Sequence, residues 1–215
     1  MNLIIFGSPG SGKGTQAKLL VRKLNLEYFE AGSILRERAK ENSLLGEKIS
    51  LIINKKGALV PNILMKKILT KWLGEIDVKK GIIFDGFPRT LRQYKILKDL
   101  LNLKNLKIDK VIYLKLKPEV SLKRLLSRRI CPNCKSEFNL LTKPPKKDEL
   151  CDFCHIKLIR RQDDTPVLIK KRLENYYKEE RPLIEEFKKE KILEEIDGGR
   201  PIEEIFQDIL RRLSK

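Results

Sequence analysis

Short apolar runs alternating with stretches of helical periodicity set the ground plan of this chain. Residues 2–6 (Asn-Leu-Ile-Ile-Phe) are an apolar run closed by Gly7, the pattern of a parallel strand buried on both faces. Behind it, Lys13 to about Leu24 carries Ala17, Leu20, Val21 and Leu24 on one face of a helix. Further strands are predicted at 82–84, 111–116 and 192–196, and the stretches between them, notably 63–73 and 91–101, repeat apolar residues at helical spacing. Strand alternating with helix predicts an α/β fold around a parallel sheet. Trp72 sits on the apolar side of its helix and reads as core packing. The tail, 201–213, places Ile202, Ile205, Phe206, Ile209, Leu210 and Leu213 at helical spacing, as a core-facing terminal helix would.

Two stretches break the alternation. Residues 31–60 are helical in pattern with no good strand, bounded by Gly32 and by Gly57 and Pro61. Residues 128–164 lose helical periodicity to a segment with four cysteines, Pro132, Pro144 and Pro145. Both are expected to be insertions above one edge of the sheet, and 215 residues suffice for one core with small insertions.

Composition narrows the classes. With 41% hydrophobic and 35% charged residues the chain reads as globular, and no apolar run approaches the roughly 18 residues a membrane span needs. The N-terminal run lacks a preceding basic stretch and a small-residue cleavage site, so a cytoplasmic protein is expected. The net charge of +18 favours polyanionic partners, whether nucleotides, nucleic acid or anionic membranes. A chain dense in Lys, Glu and Ile also has the composition of a heat-adapted protein.

The sharpest local chemistry is Gly7-Ser-Pro-Gly-Ser-Gly12-Lys13, a G-x-x-x-x-G-K loop between a strand and a helix. There, backbone N–H groups from Gly10 through Ser11, Gly12, Lys13 and Gly14 to Thr15 can curl around phosphate oxygens, while Lys13 adds a mobile cation. Gly14 stands where Ser or Thr is usual, so Thr15 becomes the candidate hydroxyl near a metal. The cysteines form two C-x-x-C pairs, Cys131/Cys134 and Cys151/Cys154, with sixteen residues between them. This is zinc-ribbon spacing. Four thiolates leave no open position for water, so a structural Zn2+ is expected, although iron accepts the same ligands. Disulfides do not suit a reducing cytoplasm, and redox chemistry needs only one C-x-x-C. His155 reads as a bystander, and Lys143-Pro-Pro-Lys-Lys147 as a solvated loop.

The run GSPGSGKGTQAKLL, then Asp85-Gly-Phe-Pro-Arg89-Thr90 after an apolar strand, then Arg161-Gln-Asp163-Asp164, together resemble the adenylate kinase family of nucleoside monophosphate kinases, in its type with a zinc-containing lid. The resemblance spans essentially the whole chain, including Asp197-Gly-Gly-Arg-Pro201, where that family has a turn lining the adenine of ATP. It implies a P-loop three-layer fold: a core of residues 1–30, 61–126 and 165–215, a helical monophosphate-binding insertion at 31–60, and a mobile zinc-binding lid at 127–164. A monomer acting on ATP and AMP with Mg2+ is expected.

Site residues follow from the same resemblance. Arg36 and Arg89 would grip the acceptor phosphate, and Arg128, Arg161 and Arg172 would converge on the transferring group. Arg124 would cover the ATP base with Arg200 in the same site, Asp85 would order magnesium-bound water, and Asp163 and Asp164 would orient the lid arginines. Ala31, Ala58, Val60, Gly86 and Gln93 would complete the acceptor site. Phosphoryl transfer spreads charge over oxygens, so permanently charged guanidinium groups suit it and no general base is required.

Acceptor choice draws on residues that point two ways. Gln93, four residues past Arg89, offers an amide that can pair with adenine, which supports AMP. Where adenylate kinases commonly read Thr-Gly-Asp, however, this chain has Ala31-Gly32-Ser33. Alanine there resembles pyrimidine monophosphate kinases, leaving a UMP or CMP kinase as the alternative, while Thr90 and Gln93 pull back toward AMP. From another class, a basic chain with a zinc ribbon also fits nucleic-acid binding. That reading leaves Lys13, Arg89 and Arg161 without a common purpose, and no aromatic-rich strand offers a stacking platform.

Overall fold

The computed structural model describes residues 1–56 and 58–214, so Gly57, expected to bound the first insertion, lies outside the described residues. Five parallel strands form the central sheet in the order β2-β3-β1-β4-β7. They are β1 (Asn2–Gly7), β2 (Glu27–Glu30), β3 (Ile82–Asp85), β4 (Lys110–Lys115) and β7 (Leu193–Asp197). Side chains alternate across a strand, so β1 feeds two cores. Ile4 and Phe6 face one with Phe29 and Phe84, while Leu3 and Ile5 face the other with Ile83 and Ile112.

Helices cover both faces. On the first lie α4 (Asn62–Glu75), α5 (Leu91–Asn102) and α8 (Pro182–Lys189), which bury Leu69, Leu97 and Phe187. On the second lie α1 (Lys13–Leu24) and α9 (Ile202–Leu213), burying Leu20 and Ile209. Each such side chain removed from water contributes about 1.5–3 kcal/mol, which is what holds the three layers together. Trp72 is half-buried and meets Phe29 edge-on at 5.0 Å between ring centroids, as core packing requires.

Two expectations for the core need correction. Residues 27–30 form a strand that the apolar pattern did not announce, because Glu-Tyr-Phe-Glu is too short to establish an alternation. Leu24, placed on the core face by its spacing, is 37% exposed. It ends α1, and Asn25, with φ 53°, turns the chain away from the sheet immediately afterwards.

The 31–60 stretch is helical, as expected: α2 (Ala31–Arg38), α3 (Leu44–Ser50) and a π-helical turn, Leu51–Lys56. The hydroxyl of Ser43 caps α3 by accepting from Gly46 N at 3.1 Å. The four-cysteine segment enters after α6 (Pro118–Leu126) and builds its own two-stranded antiparallel sheet, β5 (Arg128–Ile130) with β6 (Glu137–Asn139), before α7 (Pro166–Asn175). The two interruptions therefore leave from opposite sides of β1, after β2 and after β4, rather than along one edge. Among the described residues no helix is long and apolar enough to cross a membrane.

Candidate active site

Strand register gathers the first group of site residues. Ile5 of β1 and Glu30 of β2 both pair with Asp85, so the loop after β1 opens beside the Asp85 carboxylate. Ligands of open parallel sheets bind at such carboxyl ends. No side chain caps α1, so the N–H groups of its first turn are left for a ligand in the cavity that Gly12, Lys13, Gly14 and Thr15 line. Gly10 (φ 83°) and Gly12 (φ 93°) are left-handed, which is the reason these loop positions are glycines. Lys13 folds back over the loop, donating from Nζ to Gly7 O at 2.6 Å and Ser8 O at 3.0 Å. Burial lowers its pKa to about 8, with Asp85 the strongest opposing influence.

Asp85 is 8% exposed and accepts a hydrogen bond from Tyr28 Oη at 3.0 Å. Burial raises its carboxyl above the usual range, against the pull of Lys13. A Cβ at Gly14 would lie 3.4 Å from Asp85 Oδ2, so a glycine there leaves the carboxylate room beside the loop. An oxygen donor beside a phosphate loop suits a hard cation such as Mg2+.

Two cavities, of about 500 and about 100 Å³, meet above the sheet. Every residue expected to bind ATP lines the larger, Ser11, Arg124 and Arg200 included. Every residue expected at the acceptor lines the smaller, from Ala31 through Ala58 and Val60 to Gln93. Gly32, Arg36, Gly86, Arg89, Arg161 and Arg172 line both and so form a common wall. Ser33 and Thr90 line neither; Thr90 instead caps α5, its hydroxyl accepting from Gln93 N at 3.1 Å.

Carboxylates hold the arginines in place. Asp164, behind the cavity wall, accepts from Arg128 Nε at 2.7 Å and Nη2 at 2.6 Å, and from Arg172 Nη1 at 2.9 Å. Asp163 receives Arg161 through Nε at 3.0 Å and Nη2 at 3.1 Å. Burial alone would raise the Asp163 carboxyl, but Arg161 and then Arg172 outweigh it and hold it well below the carboxylate range. Burial lowers Arg172 to about 10. Arg124 donates to Gly198 O at 2.8 Å, and Arg200 to Asp208 at 2.6 Å, tying the Asp197–Pro201 turn to α6 and α9. In the smaller cavity Gln93 Oε1 accepts from Arg89 N at 2.8 Å. Because a backbone N–H can only donate, this fixes the amide with Nε2 as the group available to a ligand.

Sequence reasoning missed three carboxylates of the larger cavity, Glu30, Glu137 and Glu180, as well as the Tyr28 hydroxyl on Asp85. Glu137 accepts from Arg161 at 3.1 Å. A glutamate in so charged a chain reads as surface, and only its position one residue before the buried Phe138 hinted otherwise.

The cysteines converge. Their four Sγ atoms lie within 4.8 Å of one another, with Cys134 and Cys151 at 3.6 Å. That fits the edge of a tetrahedron of thiolates about 2.3 Å from a zinc ion and is far too long for a disulfide. The two C-x-x-C turns are copies of one another. After each, a left-handed residue, Lys135 (φ 59°) or His155 (φ 55°), returns its N–H to the first cysteine's carbonyl, at 3.1 and 2.9 Å. His155 is exposed and does not join the metal-competent group.

Cations concentrated on a wall shared by two cavities suit a transfer of phosphoryl between two bound nucleotides, and the fold with this site defines a P-loop phosphotransferase, a nucleoside monophosphate kinase. Comparison with known proteins agrees: a model of the adenylate kinase family matches residues 5–192. The chain is 40% identical over 215 residues to an adenylate kinase of Methanocella arvoryzae, covering 100% of this chain and 99% of the relative. It is 40% identical over 213 residues to one of Kosmotoga olearia (99% of each) and 38% identical over 210 residues to one of Thermotoga petrophila (97% and 95%). The chain belongs to the adenylate kinase family.

Proposed function

We propose that this protein transfers the γ-phosphoryl of Mg-ATP to AMP, giving two ADP, with ATP in the larger cavity and AMP in the smaller. The observation that carries this reading is the shared wall, where Arg36, Arg89, Arg161 and Arg172 serve both cavities. Lys13 and the loop amides bind the donor phosphates, Arg36 and Arg89 hold the acceptor phosphate, and Arg128, Arg161 and Arg172 neutralise charge on the transferring group. Arg124 and Arg200 cover the donor base. Asp85 would hold the Mg2+ of Mg-ATP through bound water, and the ion would supply positive charge that offsets the charge of the phosphates.

The 31–60 helices act as the acceptor-binding insertion and 127–164 as a lid, closing together to exclude water that would otherwise hydrolyse ATP. A Zn2+ held by Cys131, Cys134, Cys151 and Cys154 would stiffen the lid, whose own apolar cluster is small. Each chain contains both cavities, which supports a monomer, and a reducing cytoplasm would keep the thiols available for metal. Ala31 lines the acceptor cavity and keeps UMP or CMP as the second reading. The test is phosphorus NMR of Mg-ATP with and without AMP: two ADP per ATP consumed, and negligible hydrolysis without acceptor, support the reading. Acceptor-independent hydrolysis overturns it.

A further inference from the structure

Glu30, Asp85 and Glu137 of the larger cavity each accept a side-chain hydrogen bond, from Arg36, Tyr28 and Arg161, whereas among the described residues the fourth carboxylate there, Glu180, accepts none. It ends a π-helical turn, Tyr176–Glu180, in which Arg181 N donates five residues back to Tyr176 O at 2.8 Å. Such wide turns often mark functional positions. The turn is pinned at both ends. Tyr176 is 3% exposed and its hydroxyl is 3.2 Å from that of Tyr113, while Leu183 and Phe187 of α8 anchor the far side in the core. Glu180 is thereby held inward, 7% exposed, on the cavity wall with Lys13, Arg89 and Arg172.

Among the described residues its side chain accepts no hydrogen bond, and its ion-pair partner is Arg89 Nη1 at 4.0 Å. Arg89 is fixed on its other side by Nε donating to Gly86 O at 2.9 Å. Burial raises the Glu180 carboxyl, and Arg89 is the strongest of the three cations that oppose this, ahead of Lys13 and Arg172. A buried carboxylate without a hydrogen bond is costly, so Glu180 is a poor stabiliser of the fold. Its field acts on a guanidinium whose Nε is already tethered.

We propose that Glu180 is a positioning residue, holding the Arg89 guanidinium on the wall between the two cavities so that it meets the acceptor phosphate. This rests on the reading of Arg89 as an acceptor-phosphate group.

The experiment is steady-state kinetics of Glu180→Gln, Glu180→Asp, Arg89→Ala and the double variant E180Q/R89A, with melting temperatures. Glu180→Gln keeps the shape and removes the charge. It is expected to raise KM for AMP about tenfold, leave KM for ATP within about twofold, and leave the melting temperature equal or higher. Glu180→Asp should recover part of the loss, and adding E180Q to R89A should raise KM for AMP no further. A lower melting temperature with unchanged KM values would make Glu180 merely structural and overturn the proposal. So would a fall in KM for AMP, which would mean that Glu180 only repels phosphate. If R89A raises KM for AMP and E180Q does not, the proposal fails alone; if R89A leaves it unchanged, the acceptor-site reading fails and the proposal falls with it.

Discussion

Arg128 and Asp164 meet in a two-pronged ion pair, at 2.7 and 2.6 Å, across 36 residues that include the entire four-cysteine segment. The pair closes the base of that segment. Because the Asp164 side chain is 1% exposed and also receives Arg172, one carboxylate sets the position of two cavity arginines.

Asp164→Asn should therefore affect both stability and turnover. Removing one partner of a buried pair costs about 3 kcal/mol or more, and two guanidinium groups would lose their orientation. The expected outcome is a lower melting temperature and a kcat reduced about a hundredfold, with KM for ATP changed less. Calorimetry and steady-state kinetics check both; unchanged kcat would remove Asp164 from the catalytic arrangement.

The metal site predicts the opposite balance. Cys151→Ser, or removal of metal by a chelator, should lower the melting temperature by about 10 °C and change activity at ambient temperature by only about threefold. Metal analysis should find one zinc per chain. Equal loss of stability and activity would contradict a structural ion.

Lys13 predicts a pH dependence. With its pKa lowered to about 8, it is charged below that pH and attracts phosphate, and it loses charge as pH rises through 8. The kcat/KM for ATP, which reports the free enzyme, should fall above about pH 8. Bound phosphates favour the charged form, so the fall in kcat should come at higher pH. A kcat/KM profile flat to pH 9.5 would exclude Lys13 as the titrating group.

Gln93→Glu separates the two halves of one amide. The variant keeps an oxygen for the Arg89 N–H and loses the Nε2 donor. KM for AMP should rise about tenfold, with KM for ATP unchanged. Equal effects on both substrates would show that Gln93 supports only the Arg89 backbone.

Much of this site was legible in the sequence because its residues sit in local patterns. The loop Gly7–Lys13 carries its own strand and helix, the cysteines carry their own spacing, and Asp85 follows directly from an apolar run. What was not legible depends on distant segments. Glu180 faces the cavity because Tyr176, Leu183 and Phe187 fix its turn against the core, and Lys13 and Arg89 reach it there from distant segments; among the Lys and Glu residues around it nothing local distinguishes it from a solvated residue. Glu137 is hidden for the same reason, since Arg161 reaches it across 24 residues. The strand Glu27–Glu30 was missed because its pairing with β3, rather than its own four residues, makes it a strand.

The central claim is that the smaller cavity takes AMP. The most direct measurement is kcat/KM for ADP formation from Mg-ATP with AMP, CMP, UMP and GMP offered separately, beside a control without acceptor. The account predicts AMP preferred by at least about a hundredfold, as expected where a buried amide reads the base. Preference for CMP or UMP would contradict it and assign acceptor choice to Ala31.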